Sequence, residues 1–401
     1  MANTYVSNLV PRILPATLEV LREDVPLLGM ANKDYSASAG KLGDTVTIQK
    51  PVALASGDVT PAMIPPSGSD IAPGYVTIPI DTWKKATFQL TQKEYMEIIA
   101  GNTVPYQVGE AVRTVANLVN AAIWAKYYQI SNVAGTPATG AFASNSTTYI
   151  SAAAYALDRA LCPKGNRHAF ISLRDANDLR TNTAYGQYYY VGEGGQENIA
   201  RTGVFKSFFD FKSMNQDFNV PLHTAGTVGG GTVTLSGAHV IGDNTVLLAV
   251  AGGTGLALLA GDVITIGTET GYAPNTYSLT ADLTIAAGAT GTATLNKGLH
   301  SAKTTGSAVA LVSGWATSVQ NICGDPSGIG LVMRYPSEEL MGNRVTGSSM
   351  PLIDPNTGAV LCLTHLAGYH MSQWEVSALF GNAFVDERKL LRLASYSALV
   401  A

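Results

Sequence analysis

The chain has 401 residues, of which 46% are hydrophobic and only 13% charged, with a formal net charge of −4 at pH 7. Soluble domains usually carry about 25% charged residues, so this composition predicts a surface largely covered by other protein. The slightly negative balance argues against nucleic-acid binding as the main activity, although it leaves room for a local basic patch. The length allows roughly two to three domains, each with its own hydrophobic core.

The hydrophobic runs and the N-terminus argue against membrane insertion and secretion. Residues 1–5 lack a basic stretch followed by an apolar segment, so we expect no secretory signal and a chain that stays in the cytoplasm of the cell that makes it. The longest apolar run, 246–251, ends at Gly252. Because a bilayer span needs about 20 residues, this run predicts a strand.

Cysteine and histidine residues do not predict a metal site. Cys162, Cys323 and Cys362 fit no metal-ligand spacing and are expected to be reduced core thiols. His365 and His370 lie close to Cys362 in sequence, but a strand would direct the two imidazoles to opposite faces. We therefore predict no metal ligands and no cofactor.

Catalytic motifs are absent from the sequence. It contains none of the common phosphate-binding, zinc-protease or serine-hydrolase patterns. The glycine cluster 229–231 is followed by a strand pattern and not by a helix, which favours a flexible hinge over a phosphate site. The acidic pair 338–339 has no chemical companion, and residues 386–389 favour a charged turn or interface over acid–base catalysis. The chain is predicted not to be an enzyme.

The first 90 residues favour extended structure. Residues 14–21 fit a short helix within an N-terminal arm. Strand patterns occupy 42–54 and 75–90, and the stretch between them, 56–74, is rich in Pro, Gly and Ser. Together they predict a long two-stranded loop that reaches away from the body. Because an isolated hairpin is only marginally stable in water, we expect this loop to lie on another surface.

A long amphipathic helix is predicted between Val104 and Ile130, where apolar residues recur every three or four positions. Thr103 is a suitable N-cap and Pro105 fits the first turn. A helix of this length would extend about 40 Å and would suit a central spine. Trp124, within it, is expected to lie in the core.

Mixed α/β structure is predicted to follow the helix. Residues 151–161 fit a helix, 168–173 a buried strand, and the segment from Arg174 a second helix. The tyrosine- and glycine-rich segment 185–198 is typical of a loop that faces a partner.

A change of composition marks residues 225–312, which are rich in Gly and Thr. The charged side chains in this stretch are Asp243, Asp262, Glu269, Asp282, Lys297 and Lys303. Short β patterns such as 232–235, 262–266 and 292–295 alternate with turn residues, which predicts an antiparallel β-domain. Because mixed α/β sequence lies on both sides, this domain is predicted to be inserted into another one.

The chain is predicted to return to its main sheet after the insert. Residues 328–334 and 359–369 fit strands; Trp374, Val376, Ala378 and Phe380 recur at every second position, as on one face of a strand, and Leu391 and Leu393 continue that pattern. The whole chain therefore predicts an α+β fold.

This order of segments resembles that of the major capsid proteins of tailed bacteriophages, in particular the short-tailed phage type with an inserted β-domain. Local resemblances lie at 207–211 and 220–223 leading into the insert, at 233–237 near its start and at 259–267 within it. The resemblance covers nearly the whole chain in segment order. It implies the α+β fold shared by tailed-phage and herpesvirus major capsid proteins, of the Hong Kong phage type.

The resemblance also implies a division of the chain. The implied parts are an N-terminal arm (1–40), an extended two-stranded loop (41–90), a peripheral domain with the spine helix (91–145), an axial domain (146–224 and 313–370), the inserted β-domain (225–312) and C-terminal strands of the peripheral domain (371–401).

A capsid protein of this kind would assemble as hexamers and pentamers into an icosahedral shell around double-stranded DNA. The implied partners are other copies of the chain, a separate scaffolding protein, a portal protein and packaged DNA held by non-specific contacts. Whether a cement protein is also needed is left open, and no membrane is implied. The protein would reside in the virion and assemble in the bacterial host cytoplasm. The insert would stabilise the subunit or touch neighbours across two-fold axes.

Two residue-level expectations accompany this resemblance. Some relatives join subunits by a Lys–Asn isopeptide bond from the extended loop. Here the lysines flank the loop and its tip, 56–74, has none, so we expect no crosslink; the flanking lysines are Lys41, Lys50, Lys84 and Lys85. Candidate contact anchors, chosen by residue type alone, are Trp83, Trp315, Trp374 and Arg334.

Two other classes of protein fit parts of the pattern. A β-rich phage decoration protein or adhesin would also be Gly/Thr-rich, but it would not need a helix buried at its centre. Such a protein should release stable modules on proteolysis. An enzyme would need a cleft with convergent titratable groups.

Overall fold

The computed structural model describes residues 25–34, 43–50, 74–94, 96, 106–142, 147–182, 210–268, 275–312, 315–334, 347–353 and 359–399. Six predicted features lie outside these ranges: the helix 14–21, Lys41, the loop tip 56–74 apart from Gly74, the helix start with Thr103 and Pro105, the tyrosine-rich loop 185–198 and the acidic pair 338–339. The helices are α1 (Pro26–Met30), α2 (Tyr106–Trp124), α3 (Thr148–Arg159) and α4 (Leu173–Thr181). Single 3₁₀ turns occupy Tyr127–Gln129, Pro326–Gly328 and Glu387–Lys389.

The strands, in chain order, are β1 (Thr45–Lys50), β2 (Gly74–Pro79), β3 (Thr82–Thr91), β4 (Val133–Ala134), β5 (Arg167–Ile171), β6 (Phe211–Gln216), β7 (Leu222–His223), β8 (Thr227–Val228), β9 (Thr232–Leu235), β10 (Thr245–Ala251), β11 (Leu256–Leu258), β12 (Val263–Ile266), β13 (Tyr277–Ser278), β14 (Leu283–Ile285), β15 (Thr290–Thr294), β16 (Val309–Leu311), β17 (Ser318–Gly324), β18 (Ile329–Arg334), β19 (Gly347–Ile353), β20 (Val360–Ala367), β21 (Met371–Phe384) and β22 (Leu390–Ala394).

The first sheet is antiparallel and is organised around the 14-residue strand β21, which pairs with β3, β18 and β20, while β19 pairs with β20. Along β21 the predicted alternation is confirmed, because Trp374, Val376, Ala378 and Phe380 are all buried in one core. Side chains on one face of a strand recur at every second residue, so these four line the same face of the sheet.

Helix α2 packs on that face and forms the largest core. Val112, Val115, Val119 and Ile123 are fully buried against the sheet, and Trp124 is buried beside them as predicted. The helix is shorter than the sequence pattern indicates, since its 19 residues extend about 28 Å. The α-helical hydrogen bonds end near Trp124, and a 3₁₀ turn that begins at Tyr127 follows.

The predicted two-stranded loop is present as an antiparallel pair, with Thr45 opposite Pro79 and Lys50 opposite Gly74; we call β1 and β2 the hairpin. Its described part does not reach away from the body. Val46, Ile48, Ile78 and Ile80 pack on the other face of the first sheet, against a set that comprises Val332, Leu379, Ala383 and Val385. The predicted continuous strand 75–90 is also wrong, because β2 ends at Pro79 and β3 then joins β21. The hairpin's marginal stability is therefore offset within its own chain.

The second sheet has the order β4-β22-β17-β5-β6, and β7 pairs with the start of β17. Its central strand β17 is buried at every residue. Helices α3 and α4 cover one face through a core that includes Leu157, Leu179 and Cys323, whereas Phe170 and Ile322 contribute to the core around α2. The three cysteines are free and buried, as predicted, and burial raises the pKa of the Cys323 thiol to about 12.

Residues 227–311 form nine of the described strands, in three three-stranded sheets around a separate apolar core; we call this segment the β-unit and the rest of the chain the body. Within the described ranges, its named strands pair only with one another. The glycine cluster 229–231 is not a flexible hinge. A Cβ on Gly231 would lie 2.5 Å from the Gly252 carbonyl oxygen. The backbones at Gly231 and Gly252 therefore pack too closely for any side chain at position 231.

Strand pairing in the body joins segments from different parts of the implied division, which itself stays a prediction. The segments 329–334 and 360–367, placed in the axial part, share the first sheet with β3 and β21. The segment 390–394, placed with the peripheral strands, lies in the second sheet beside β17. Residues 25–31, placed in the arm, bury Leu27 and Leu28 in the core around α2. These pairings join segments far apart in sequence, which local patterns do not encode.

Candidate functional site: assembly surfaces and a buried joint

The outer face of the hairpin is exposed and uncharged. Thr47 faces Thr77 and Gln49 faces Tyr75 across the two strands, and all four residues are exposed, with Tyr75 at 57%. Strand side chains alternate, so these residues point away from the apolar face that packs on the sheet. Such a ribbon can lie on a neighbouring surface without desolvating a charge.

Trp83 is exposed on the face of the first sheet that the hairpin covers. It lies opposite Leu379, at the edge of the area covered by the hairpin, and is 46% exposed. Two residues further along β3, Lys85 forms an ion pair with Glu375 at 3.3 Å. A large exposed aromatic ring beside an uncharged ribbon is typical of a protein-binding surface.

The turn between β20 and β21 presents a second aromatic residue, Tyr369, which is 90% exposed. The next residue, His370, adopts a left-handed backbone conformation with φ of 53°. The His370 Nδ1 atom lies 2.6 Å from Gln92 Oε1. The backbone N–H of Gln92 donates to the His370 carbonyl oxygen at 3.0 Å. The turn is therefore fixed to the end of β3, and Tyr369 projects from a rigid support.

A third exposed apolar feature lies in the β-unit, where Val240 and Ile241 are 65% and 68% exposed in one tight turn; we call these two residues the knob. The Val240 amide donates to Asp243 Oδ2 at 3.0 Å, and the amide of Gly242 donates to the Leu299 carbonyl oxygen at 2.9 Å. The turn is therefore pre-organised, and two adjacent β-branched side chains face solvent at little further cost in entropy on binding.

The most connected polar site is buried where the β-unit meets the body. Asp262, fully buried in the β-unit, accepts hydrogen bonds from His223 Nε2 at 2.8 Å and from Trp315 Nε1 at 2.9 Å. It also accepts from the backbone amides of Leu259 and Gly226 at 2.8 and 3.0 Å. With this many donors, the carboxylate can remain charged without water.

Two side chains of the body complete this site. Tyr127, in the 3₁₀ turn after α2, lies 2.8 Å from His223 Nδ1 through its hydroxyl. Arg392, fully buried in β22, donates to the Gly261 carbonyl oxygen at 2.8 Å and to Ser278 Oγ at 3.2 Å. Its guanidinium also lies over the rings of Tyr127 and Trp315, at 5.7 and 5.4 Å. We call Tyr127, His223, Asp262, Trp315 and Arg392 the joint.

Burial disfavours the charged form of both Asp262 and Arg392. Burial of Asp262 opposes its charge, but hydrogen bonds from His223, the Leu259 amide and Trp315 more than offset this and leave its pKa below the ordinary value. Burial lowers the pKa of Arg392 to about 10, so the guanidinium is still charged at neutral pH. The arrangement resembles a Tyr–His–Asp relay but is enclosed, with each member engaged in packing, which is typical of a structural role.

Acid is expected to destabilise the protein partly through Asp262. Its pKa is lower in the folded chain than in the unfolded one, so its contribution to stability is present above about pH 4 and is lost as pH falls through the folded value. The measurement is the urea midpoint between pH 7 and pH 3 for the wild type and for D262N. The D262N midpoint should fall less steeply on acidification. Parallel curves for the two proteins would contradict a contribution of Asp262 to acid destabilisation.

The candidate contact anchors divide into two groups. Trp83 and Arg334 are exposed. Trp374 is not a surface anchor, because it is fully buried, stacks on Phe88 and contacts the His365 ring at 4.5 Å. Trp315 is buried in the joint. Residue type alone did not separate surface from core here.

The predicted polar candidates are also accounted for. His365 is buried on the sheet while His370 lies in the exposed turn, and among the described residues no three His, Cys, Asp or Glu side chains gather as metal ligands. Asp386 caps the 3₁₀ turn 387–389 and pairs with Arg388 at 3.1 Å, so this segment is a charged turn. No helix within the described ranges is long and apolar enough to cross a membrane.

Comparison with known proteins finds similar solved structures and nothing else: no family model matches the chain, and no curated protein does. A structure from Mycobacterium phage Che8 is 12% identical with a TM-score of 0.48, covering 92% of this chain and 91% of its own. The capsid of cyanophage P-SCSP1u is 12% identical with a TM-score of 0.46, covering 94% and 88%, and the mature capsid of bacteriophage PhiM1 is 9% identical with a TM-score of 0.45 over the same shares. Two of these three structures are those of phage capsids.

Proposed function

We propose that the chain is the major capsid protein of a tailed phage, a structural subunit without catalytic activity. The observation that carries this proposal is the placement of exposed apolar side chains on four separate elements: Tyr75 on the hairpin, Trp83 beside it on β3, Tyr369 at a sheet turn, and the knob on the β-unit. Singly scattered apolar residues are ordinary, but rigidly supported ones on several elements suit a subunit that meets several neighbours. A charged fraction of 13% fits the same role.

In the assembled particle, copies of the chain would form hexamers and pentamers that close into an icosahedral shell around double-stranded DNA. The outer face of the hairpin would lie on an adjacent subunit, because it is exposed and uncharged while its inner face is already buried. The partners would be a scaffolding protein, a portal protein and DNA held without sequence specificity, with a cement protein as an addition. The protein would assemble in the host cytoplasm and remain in the virion, and the inserted β-domain would mark the short-tailed phage type.

Sedimentation tests the proposal directly. The full chain is produced together with its candidate scaffolding protein and separated on a sucrose gradient. We expect most of the chain in a fast-sedimenting peak of large particles. A chain found only near the top of the gradient under these conditions would contradict the proposal.

The knob is expected to form contacts between subunits. Because Val240 and Ile241 are largely exposed, V240S/I241S should leave the thermal midpoint nearly unchanged while lowering the yield of particles severalfold. The control is L161S, which removes a side chain that is 82% exposed outside the β-unit. Particle yields are compared on the same gradient, and an unchanged yield for V240S/I241S would exclude the knob from assembly contacts.

A β-rich decoration protein or adhesin is the second candidate. The Gly/Thr-rich β-unit with its own core favours it. The full burial of Val112, Val115, Val119 and Ile123 of α2 in the core of the body disfavours it, since independent β-modules need no such helix. Limited proteolysis separates the two: an adhesin should release the β-unit as a stable fragment, whereas a capsid subunit should be cut first within 56–74.

A further inference from the structure

The β-unit connects to the body through a narrow neck. The chain enters it after β7 and leaves it before β17, and these two strands pair with each other through His223 opposite Ser318. The Ala225 amide also donates to Thr317 Oγ1 at 3.3 Å. Two adjacent strands alone would let the β-unit pivot against the body. The side chains of the joint cross this neck and oppose such motion.

Asp262 connects the β-unit to the neck. His223 and Trp315, which flank the β-unit in sequence, both donate to its Oδ1. The Leu259 and Gly226 amides bond to the same carboxylate. The segment that enters the β-unit and the segment that leaves it are therefore both hydrogen-bonded to one buried carboxylate of the β-unit.

Arg392 is a second connection between the body and the β-unit, and the body supplies it. Its guanidinium donates to Gly261 and Ser278, two residues of the β-unit, although it belongs to a strand of the second sheet. A second contact lies nearby, where Asn296 Nδ2 of the β-unit donates to the Gln129 carbonyl oxygen at 2.9 Å and to Glu387 Oε2 at 2.8 Å. The body therefore holds the β-unit at two places in addition to the neck.

Because both charges are buried, the body and the β-unit each depend on contacts with the other. Asp262 and Arg392 are both fully buried. Asp262 accepts hydrogen bonds from the neck, and the two terminal nitrogens of Arg392 donate to the β-unit, whereas its Nε has no hydrogen-bond partner among the described residues. A buried charge that loses its partners is strongly unfavourable, so neither side can unfold without exposing or stranding a charge of the other. Separate cores would otherwise allow two independent unfolding transitions.

We infer that the joint couples the β-unit and the body into one cooperatively folding structure and fixes the orientation of the β-unit, with Asp262 and Arg392 as positioning residues. This inference stands apart from the capsid proposal, because it concerns the isolated chain and holds for any function of the β-unit. The coupling passes through side chains and not through the apolar cores, which are separate on the two sides.

Calorimetry and hydrogen exchange on the full chain test this inference. The variants are Y127F, which removes the hydroxyl beside His223, W315F, which removes the donor to Asp262, and R392M. Matched controls are Y128F, a neighbouring tyrosine outside the joint, and R388M, an arginine in the charged turn. Amides of β10 and β12 report on the β-unit, and amides of α2 and β17 report on the body.

The wild type, Y128F and R388M are expected to show one thermal transition, with β-unit and body amides losing protection together. In W315F and R392M the transition should split into two that differ by several degrees, and Y127F should shift in the same direction by less. Two separate transitions in the wild type would overturn the inference. A single transition retained in all three joint variants, with both groups of amides still losing protection together, would overturn it as well. W315F and Y127F keep the test decisive if R392M does not fold.

Discussion

Replacing Gly381 by alanine is expected to lift the hairpin from the first sheet and to abolish particle assembly. A Cβ at this position would lie 2.0 Å from the Pro79 carbonyl oxygen and 3.3 Å from Ile78 Cγ2. The first clash is with backbone, so a side-chain rotation cannot relieve it. The strand β2 must move away, which exposes the apolar face that includes Val46 and Ile78. Overpacking of this kind costs about 1–3 kcal/mol.

Hydrogen exchange of residues 45–50 and 74–79 measures this effect, and particle yield on a gradient measures its consequence. The matched control is G368A, whose Cβ would meet only Met371, at 3.3 Å from Cγ and 3.4 Å from the carbonyl oxygen. We expect rapid exchange and no particles for G381A, and wild-type behaviour for G368A. Unchanged protection of the hairpin in G381A would show that the hairpin does not depend on this close approach.

Replacing Asp175 by alanine is expected to lower the free energy of unfolding by about 3 kcal/mol or more. The carboxylate accepts from Asn321 Nδ2 at 2.7 Å, from Ser172 Oγ at 2.8 Å and from Ser395 Oγ at 2.5 Å. These donors come from the central strand β17, the cap of α4 and the segment after β22. Alanine would leave all three donors buried without this acceptor.

D175N separates the loss of charge from the loss of the acceptor. Burial raises the pKa of Asp175 despite hydrogen bonds from Ser395, Asn321 and Ser172, so the charged form is penalised in the folded chain. The amide keeps the size and one acceptor oxygen, and D175N should therefore cost less than D175A. The control N177A changes an exposed residue on the same helix. Urea unfolding of the four proteins measures the order, and a D175A midpoint equal to that of N177A would rule out the proposed role.

Local periodicity predicted those elements that bury one regular face. The spacing of Val112, Val115, Val119 and Ile123 indicates helix α2, and the alternation from Trp374 to Phe380 indicates β21; the structure confirms both. In each case these regularly spaced side chains lie on one face of their element and enter the same core, so the pattern along the chain matches the packing.

Strand β17 shows why other elements could not be predicted. Its central residues Gln320 and Asn321 are polar yet fully buried, because Asn321 donates to Asp175 and Gln320 donates to Ser318. A strand buried on both faces normally has an apolar sequence. Ser318 lies in the same strand as Gln320, but the partner of Asn321, Asp175, comes from a distant segment, and the local sequence gives no sign of that contact.

The joint was missed for the same reason. Its members are spread from Tyr127 to Arg392, and none belongs to a spaced motif. One signal was available: Asp262 is among the few charged residues of the β-unit, and a charge within a short apolar strand pattern favours a buried, partnered group. Its partners could be identified only from the fold.

The central claim is that copies of this chain build a closed shell, and negative-stain electron microscopy of the full chain produced with its candidate scaffolding partner tests it most directly. The exposed hairpin face, the Tyr369 turn and the knob predict closed particles of uniform diameter. Monodisperse monomers or small rings, under conditions in which the chain is folded, would contradict the claim and favour a decoration protein or adhesin.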